Sequence, residues 1–124
     1  MDKEKKTILI VEDDEIILRS LYLSFHEEDF TIATAQDGEM AYTMTERIIP
    51  DLVLLDLVLP KKNGFEYLRE IKAHPGLAKI PVIVLSNLSG EENINRAKDL
   101  GALDYFVKSN TDLEELVKKV KLLI

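Results

Sequence analysis

A doubly wound α/β sandwich is the fold this sequence predicts, on three observations. Short aliphatic runs alternate with longer segments of helical spacing, and the pair repeats five times along 124 residues. The runs are continuously aliphatic rather than alternating, as in parallel strands buried on both faces. Right-handed crossovers then put helices on both sides of one sheet. The expected form is a five-stranded parallel sheet of order 2-1-3-4-5 with five helices in three layers.

Each element has its own signal. The first run is Ile8–Val11, followed by a helix in which Ile17, Leu21 and Phe25 recur every four residues. The second run is Thr31–Ala35, and Asp37 is placed to cap the helix after it. Leu52–Leu55 is the third run, and Asn63, three before Glu66, marks the start of the third helix. "HPG", His74 to Gly76, is a loop. Val82–Leu85 is the fourth run. Ser89, three before Glu92, marks the next helix, and Gly101 after "AKDL" stops it. The fifth run is Asp104–Val107. Thr111, three before Glu114, opens a last helix whose Leu113, Leu116, Val117, Val120 and Leu123 share one face. With no linker, repeat or low-complexity stretch, one domain over residues 1–124 is expected, without an effector domain.

Hydrophobic residues make up 46% and charged residues 31%, the balance of a soluble globular chain. The net charge of −7 argues against direct binding to nucleic acid or an anionic membrane, and suits a cation or a basic partner. Without cysteine there is no disulfide and no thiolate metal site. The charged head of "MDKEKKTILIVEDDE" is not a secretory signal, and no run approaches the ~20 apolar residues of a membrane span. A cytoplasmic location is expected.

In an open parallel sheet, ligands bind beyond the carboxyl ends of the strands. Strand 1 ends in "VEDDE", strand 3 in Asp56, strand 4 in Ser86 and Asn87, and strand 5 in Lys108. In the order 2-1-3-4-5, Glu12, Asp13 and Asp56 converge. Close carboxylates repel unless a cation sits among them, and oxygen donors without His or Cys favour a hard ion such as Mg²⁺. An aspartate facing a phosphate there is a candidate nucleophile, with Lys108 and the Ser86 hydroxyl placed to meet phosphoryl charge. For Asp14 and Glu15, capping of the next helix is the preferred reading. Lys108 and Ser86 taken singly are ordinary surface and strand-end residues, so the joint placement carries the argument.

The segments "ILIVEDDE", "DLVLLDLVLPKKNGFEYLREIK", "PVIVLSN" and "GALDYFVK" resemble the CheY-like receiver domain of two-component response regulators, over the whole chain. The spacing of Asp56, Pro60 and Gly64 is the most specific part. The resemblance implies that Asp56 accepts a phosphoryl group. It implies that Mg²⁺ (or Mn²⁺) is held by Asp13, Asp56 and the Val58 backbone carbonyl, with Glu12 acting largely through water. It makes Ser86 the hydroxyl and Lys108 the lysine that bind the phosphoryl group, and Tyr105 the switch aromatic, at a sheet edge. The implied partners are a sensor histidine kinase or phosphotransfer protein and a downstream protein target, with the domain a monomer or weak dimer. Two positions depart from the family: Ser109 replaces the proline after the lysine, which makes a trans Lys108–Ser109 bond the default, and Asn87 replaces a very small residue. Asn87, Ser109 and Asp14 are candidate modulators.

Functions of three classes compete. A phosphorylation switch working through helix 4, strand 5 and helix 5 leads. A phosphatase of the haloacid-dehalogenase type also uses a strand-end aspartate with Mg²⁺. It needs an acid two residues on, where this chain has Val58. A degenerate receiver that only docks partners is opposed by the filled acidic, hydroxyl and lysine positions.

Overall fold

The computed structural model describes residues 5–124; the first four residues of the charged head lie outside the described residues. The strands are β1 (Thr7–Val11), β2 (Thr31–Ala35), β3 (Leu52–Leu55), β4 (Val82–Ser86) and β5 (Asp104–Val107). All pair in parallel, in the order β2-β1-β3-β4-β5. The helices are α1 (Glu15–His26), α2 (Gly38–Ile48), α3 (Gly64–Ala73), α4 (Glu91–Asp99) and α5 (Leu113–Leu123). The predicted architecture and strand order are therefore observed.

Successive residues of a strand face opposite sides of a sheet, and the core divides accordingly. Leu9, Val11, Val53, Leu55, Val82 and Val84 pack with α2, α3 and α4 residues such as Ala41, Tyr67, Ile71 and Ala97. Ile8, Ile10, Leu52, Leu54, Ile83 and Leu85 pack with Leu21 and Phe25 of α1 and Leu116 and Val120 of α5. Both faces of the central strands are apolar because both are covered, which is why β1, β3 and β4 carry unbroken aliphatic runs, while the half-buried edge strands β2 (TIATA) and β5 (DYFV) do not.

The helix starts hold in part. Asp37 accepts from Met40 N at 2.8 Å, and Asn63 accepts from Glu66 N at 2.9 Å, as expected of caps. Asp14 caps α1, its Oδ1 accepting from Ile16 N and Ile17 N at 2.9 and 3.1 Å. Two expected caps are corrected. Thr111 spends its hydroxyl on Val107 O at 2.7 Å, closing a 3₁₀ turn over Lys108–Asn110, so Asp112 caps α5 by accepting from Glu114 N. Ser89 yields to Gly90, which turns into α4 at φ 95 without a side-chain cap bond. Gly101, at φ 112, follows α4 in the stop position expected of it.

Tyr67 is the largest fully buried side chain. Its hydroxyl lies 2.7 Å from Thr45 Oγ1, and Thr45 donates its single proton to Ala41 O, so Tyr67 donates to Thr45. Burial pushes the phenol well above its ordinary value of 10. The unfolded chain therefore loses this proton first, so the stabilisation is complete below pH 10 and is lost as the pH rises beyond it. Tyr67→Phe is expected to flatten that alkaline loss, read by urea unfolding at about pH 9 and about pH 11. An unchanged slope in the variant would contradict the assignment.

Candidate functional site

The register that pairs Val11 with both Ala35 and Leu55 sets the next residues, Glu12 and Asp56, side by side. Asp56 N donates to Val11 O at 3.0 Å, and Glu12 N donates to Ala35 O at 3.0 Å, so both residues are fixed by the sheet itself. Both side chains are buried, with 2% exposure for Glu12 and 6% for Asp56. Asp13 is exposed beside them, and one carboxylate oxygen from each of the three lies within 4.8 Å of the others.

Lys108 enters from the end of β5. Its Nζ lies 2.5 Å from Glu12 Oε1 and 2.9 Å from Asp56 Oδ2. The remaining oxygens also have donors: Asp14 N to Glu12 Oε2 at 3.1 Å, and Val58 N to Asp56 Oδ1 at 3.2 Å. Every oxygen of these two buried carboxylates thus has a donor, as buried charge requires. The sequence places Lys108 only against phosphoryl charge and does not predict its contact with Glu12. No local signal marks a pair so distant in the chain.

The charges perturb one another. Glu12 is raised above its ordinary value, first by burial and then, against the donors Lys108 and Asp14, by the nearby Asp56 charge. Burial pulls Lys108 down, but its bonds to Glu12 and Asp56 outweigh this and leave it raised. Tyr105 is raised by burial and then by the Asp56 charge.

Glu12, Asp13, Asp14, Asp56, Val58, Asn87 and Lys108 line one cleft of about 360 Å³. Ser86, Tyr105 and Ser109 stand outside that lining. Strand alternation explains the division. Carried one residue past β1, β3 and β5, it turns Glu12, Asp56 and Lys108 toward α1 and α5. Ser86 follows Val82 and Val84 to the opposite face, while Asn87 faces the cleft. Tyr105, on the edge strand β5, packs with Leu88 against the α2–α4 side. Its hydroxyl donates to Leu88 O at 2.6 Å, and Ser86 Oγ accepts from Leu88 N at 3.3 Å. Leu88 is thus gripped by both, a contact no sequence motif announced. The Lys108–Ser109 bond is trans, since no cis bond occurs among the described residues, and Ser109 is exposed in the 3₁₀ turn.

The donor set fits a small hard cation. It offers three carboxylates with no nitrogen or sulfur ligand, and the Lys108 ammonium already rests on two of them.

The profile of the response regulator receiver domain matches residues 8–121 of the chain. The chain belongs to this family. The receiver domain is 35% identical over 113 residues to the gliding motility regulatory protein of Myxococcus xanthus, covering 91% of this chain and 14% of that relative. It therefore spans only a small part of that relative's length. The phosphorylated cyanobacterial phytochrome response regulator RcpA superposes on it with a TM-score of 0.79 at 38% identity, covering 95% of this chain and 90% of that one. The Mn²⁺-bound form of response regulator Rcp1 superposes with a TM-score of 0.78 at 36% identity, covering 94% and 89%.

Receiver domains act as signalling switches rather than turnover enzymes, bind Mg²⁺ or Mn²⁺ at an acidic site, and meet histidine kinases and downstream targets. Among the described residues, no helix of this receiver domain is long and apolar enough to cross a membrane.

Proposed function

We propose that Asp56 accepts a phosphoryl group from a phosphohistidine of a sensor histidine kinase or phosphotransfer protein. The supporting observation is a buried strand-end carboxylate, held by Lys108 and Val58 N, with oxygens of Glu12 and Asp13 within 4.8 Å. An Asp56 oxygen attacks phosphorus. The new O–P bond forms as the P–N bond breaks, and its electron pair leaves on the imidazole nitrogen. Water later attacks the same phosphorus, releasing inorganic phosphate and restoring the carboxylate. Asp13, Asp56 and the Val58 carbonyl would hold Mg²⁺ or Mn²⁺, with Glu12 acting through water. Bound there, the ion neutralises charge on the phosphoryl oxygens.

Lys108 already touches Asp56 and would follow the incoming phosphoryl oxygen, loosening its hold on Glu12. Ser86 keeps its proton free to donate to that oxygen, because its Oγ now only accepts from Leu88 N. Moving Ser86 toward the site would release Leu88 N, while Tyr105 holds Leu88 O. Site chemistry would reach the edge strand in this way and alter the contact surface of α4, β5 and α5. Asn87 on the cleft wall, with Ser109 and Asp14, would tune phosphoryl lifetime, which dephosphorylation of Asn87→Ala would measure. The acidic balance suits a downstream protein target rather than nucleic acid.

The test is thermal unfolding with and without Mg²⁺, followed by exposure to acetyl phosphate. An ion bound only by the folded chain, at ten times its dissociation constant, adds about 1.4 kcal/mol of stability. The expected result is a higher Tm at millimolar Mg²⁺ and uptake of a single phosphoryl group. Neither effect would be seen in a constitutive docking module, and steady turnover of a simple phosphate ester would restore the phosphatase reading.

A further inference from the structure

The loop between β3 and α3 carries Val58 past the Asp56 carboxylate. Its ends are held by backbone bonds, Asp56 N to Val11 O at 3.0 Å and Gly64 N to Leu57 O at 2.9 Å. Leu57 is buried and Leu59 partly so, while Val58 between them is 56% exposed and borders the cleft. The far limb leans on the start of α2. Gly38 N lies 3.5 Å from Pro60 O, and a Cβ on Gly38 would collide with the Lys62 carbonyl, whose carbon lies 2.6 Å from that position. Lys61 takes the left-handed conformation, φ 66, that a residue with a side chain seldom adopts.

Lys62 is unlike an ordinary surface lysine. Its side chain is 20% exposed, its ammonium binds Glu70 of α3, and it sits 4.9 Å over the Tyr42 ring of α2. A cation shared by a carboxylate and an aromatic face, largely out of water, is held more firmly than an exposed pair.

We propose that Lys62 is a positioning residue for the metal and phosphoryl site. By tying the far limb of the loop to α2 and α3, it sets where the Val58 peptide stands relative to Asp56. This rests on the reading of Asp56 given above. Lys62 touches none of the reacting groups, so it acts as an outer support does for metal ligands, where loss typically weakens metal affinity.

The experiment is a calorimetric titration of Mg²⁺ into the whole chain and its variants, with unfolding curves measured in parallel. Lys62→Met, which keeps the alkyl stem, is expected to bind Mg²⁺ about tenfold more weakly, and Lys62→Arg to stay within about twofold of wild type. Phe25→Leu, in the last turn of α1 and away from the strand ends that carry the site, lowers stability and is expected to leave Mg²⁺ affinity unchanged. An unchanged Mg²⁺ affinity in Lys62→Met would overturn the proposal, and so would an equal loss in Phe25→Leu. If Lys62→Met fails to fold, Gly38→Ala decides by the same titration. It moves the loop through its backbone and removes no charge, so wild-type affinity there would also overturn the proposal. A wild-type chain that binds no Mg²⁺ would instead refute the reading of the site itself.

Discussion

Asp56→Asn is expected to take up no phosphoryl group from acetyl phosphate with Mg²⁺, where the wild-type chain takes up one. The amide has nearly the shape of the carboxylate, and its oxygen can still accept from Val58 N, as Asp56 Oδ1 does at 3.2 Å. What it lacks is the anionic nucleophile. The variant should also fold. Lys108 keeps Glu12 as its partner, and the repulsion between Asp56 and Glu12 that helps raise Glu12 is removed. Stability should therefore stay within about 1 kcal/mol of wild type, so loss of labelling is not loss of fold. Intact-protein mass spectrometry reads the result directly. Labelling of the variant at the wild-type level would rule out Asp56 as the acceptor.

Lys108→Ala should cost stability in the absence of metal, because the ammonium is the only side-chain cation on two buried carboxylates among the described residues. Removing one partner of a buried ionic cluster leaves charge uncompensated. The open cleft puts the cost at the lower end of such cases, about 3 kcal/mol, or roughly 10 °C in Tm. Two conditions should shrink the deficit. Millimolar Mg²⁺ should restore part of it, since a cation at the same oxygens replaces the lost charge. Acid should do so as well. Glu12 is already raised by burial and by Asp56, and the variant loses the Lys108 bond that opposes that rise. A raised carboxyl contributes fully below its unfolded pKa, and that contribution is lost as pH rises through the folded value. The variant should therefore lie closest to wild type in mild acid. A deficit independent of both pH and Mg²⁺ would mean that Lys108 contributes by packing alone.

Much of this was legible in the chain. The unbroken aliphatic runs of β1, β3 and β4 mark parallel strands covered on both faces. The order of runs and helical segments then left the switch point between β1 and β3 as the place for Glu12, Asp13 and Asp56. Caps were less legible. Thr111 and Ser89 carry the right side chains in the right spacing. In the structure the Thr111 hydroxyl closes the 3₁₀ turn and Gly90 makes the turn into α4. Spacing alone cannot say which of two adjacent polar residues has its backbone in the capping conformation.

The ends of the central strands and the chemistry placed on them are legible in the chain alone, because burial on both faces keeps the interiors of β1, β3 and β4 apolar and leaves polar residues to their ends. Which of those residues meet is set by packing. An aliphatic run that is apolar on both faces hides which side each residue takes, so the sequence showed neither Asn87 on the cleft wall nor Ser86 and Tyr105 gripping Leu88 on the far face. The Lys108–Glu12 pair and the seat of Lys62 on Tyr42 and Glu70 were equally silent. They depend on how separate elements pack, and local spacing does not encode long-range packing.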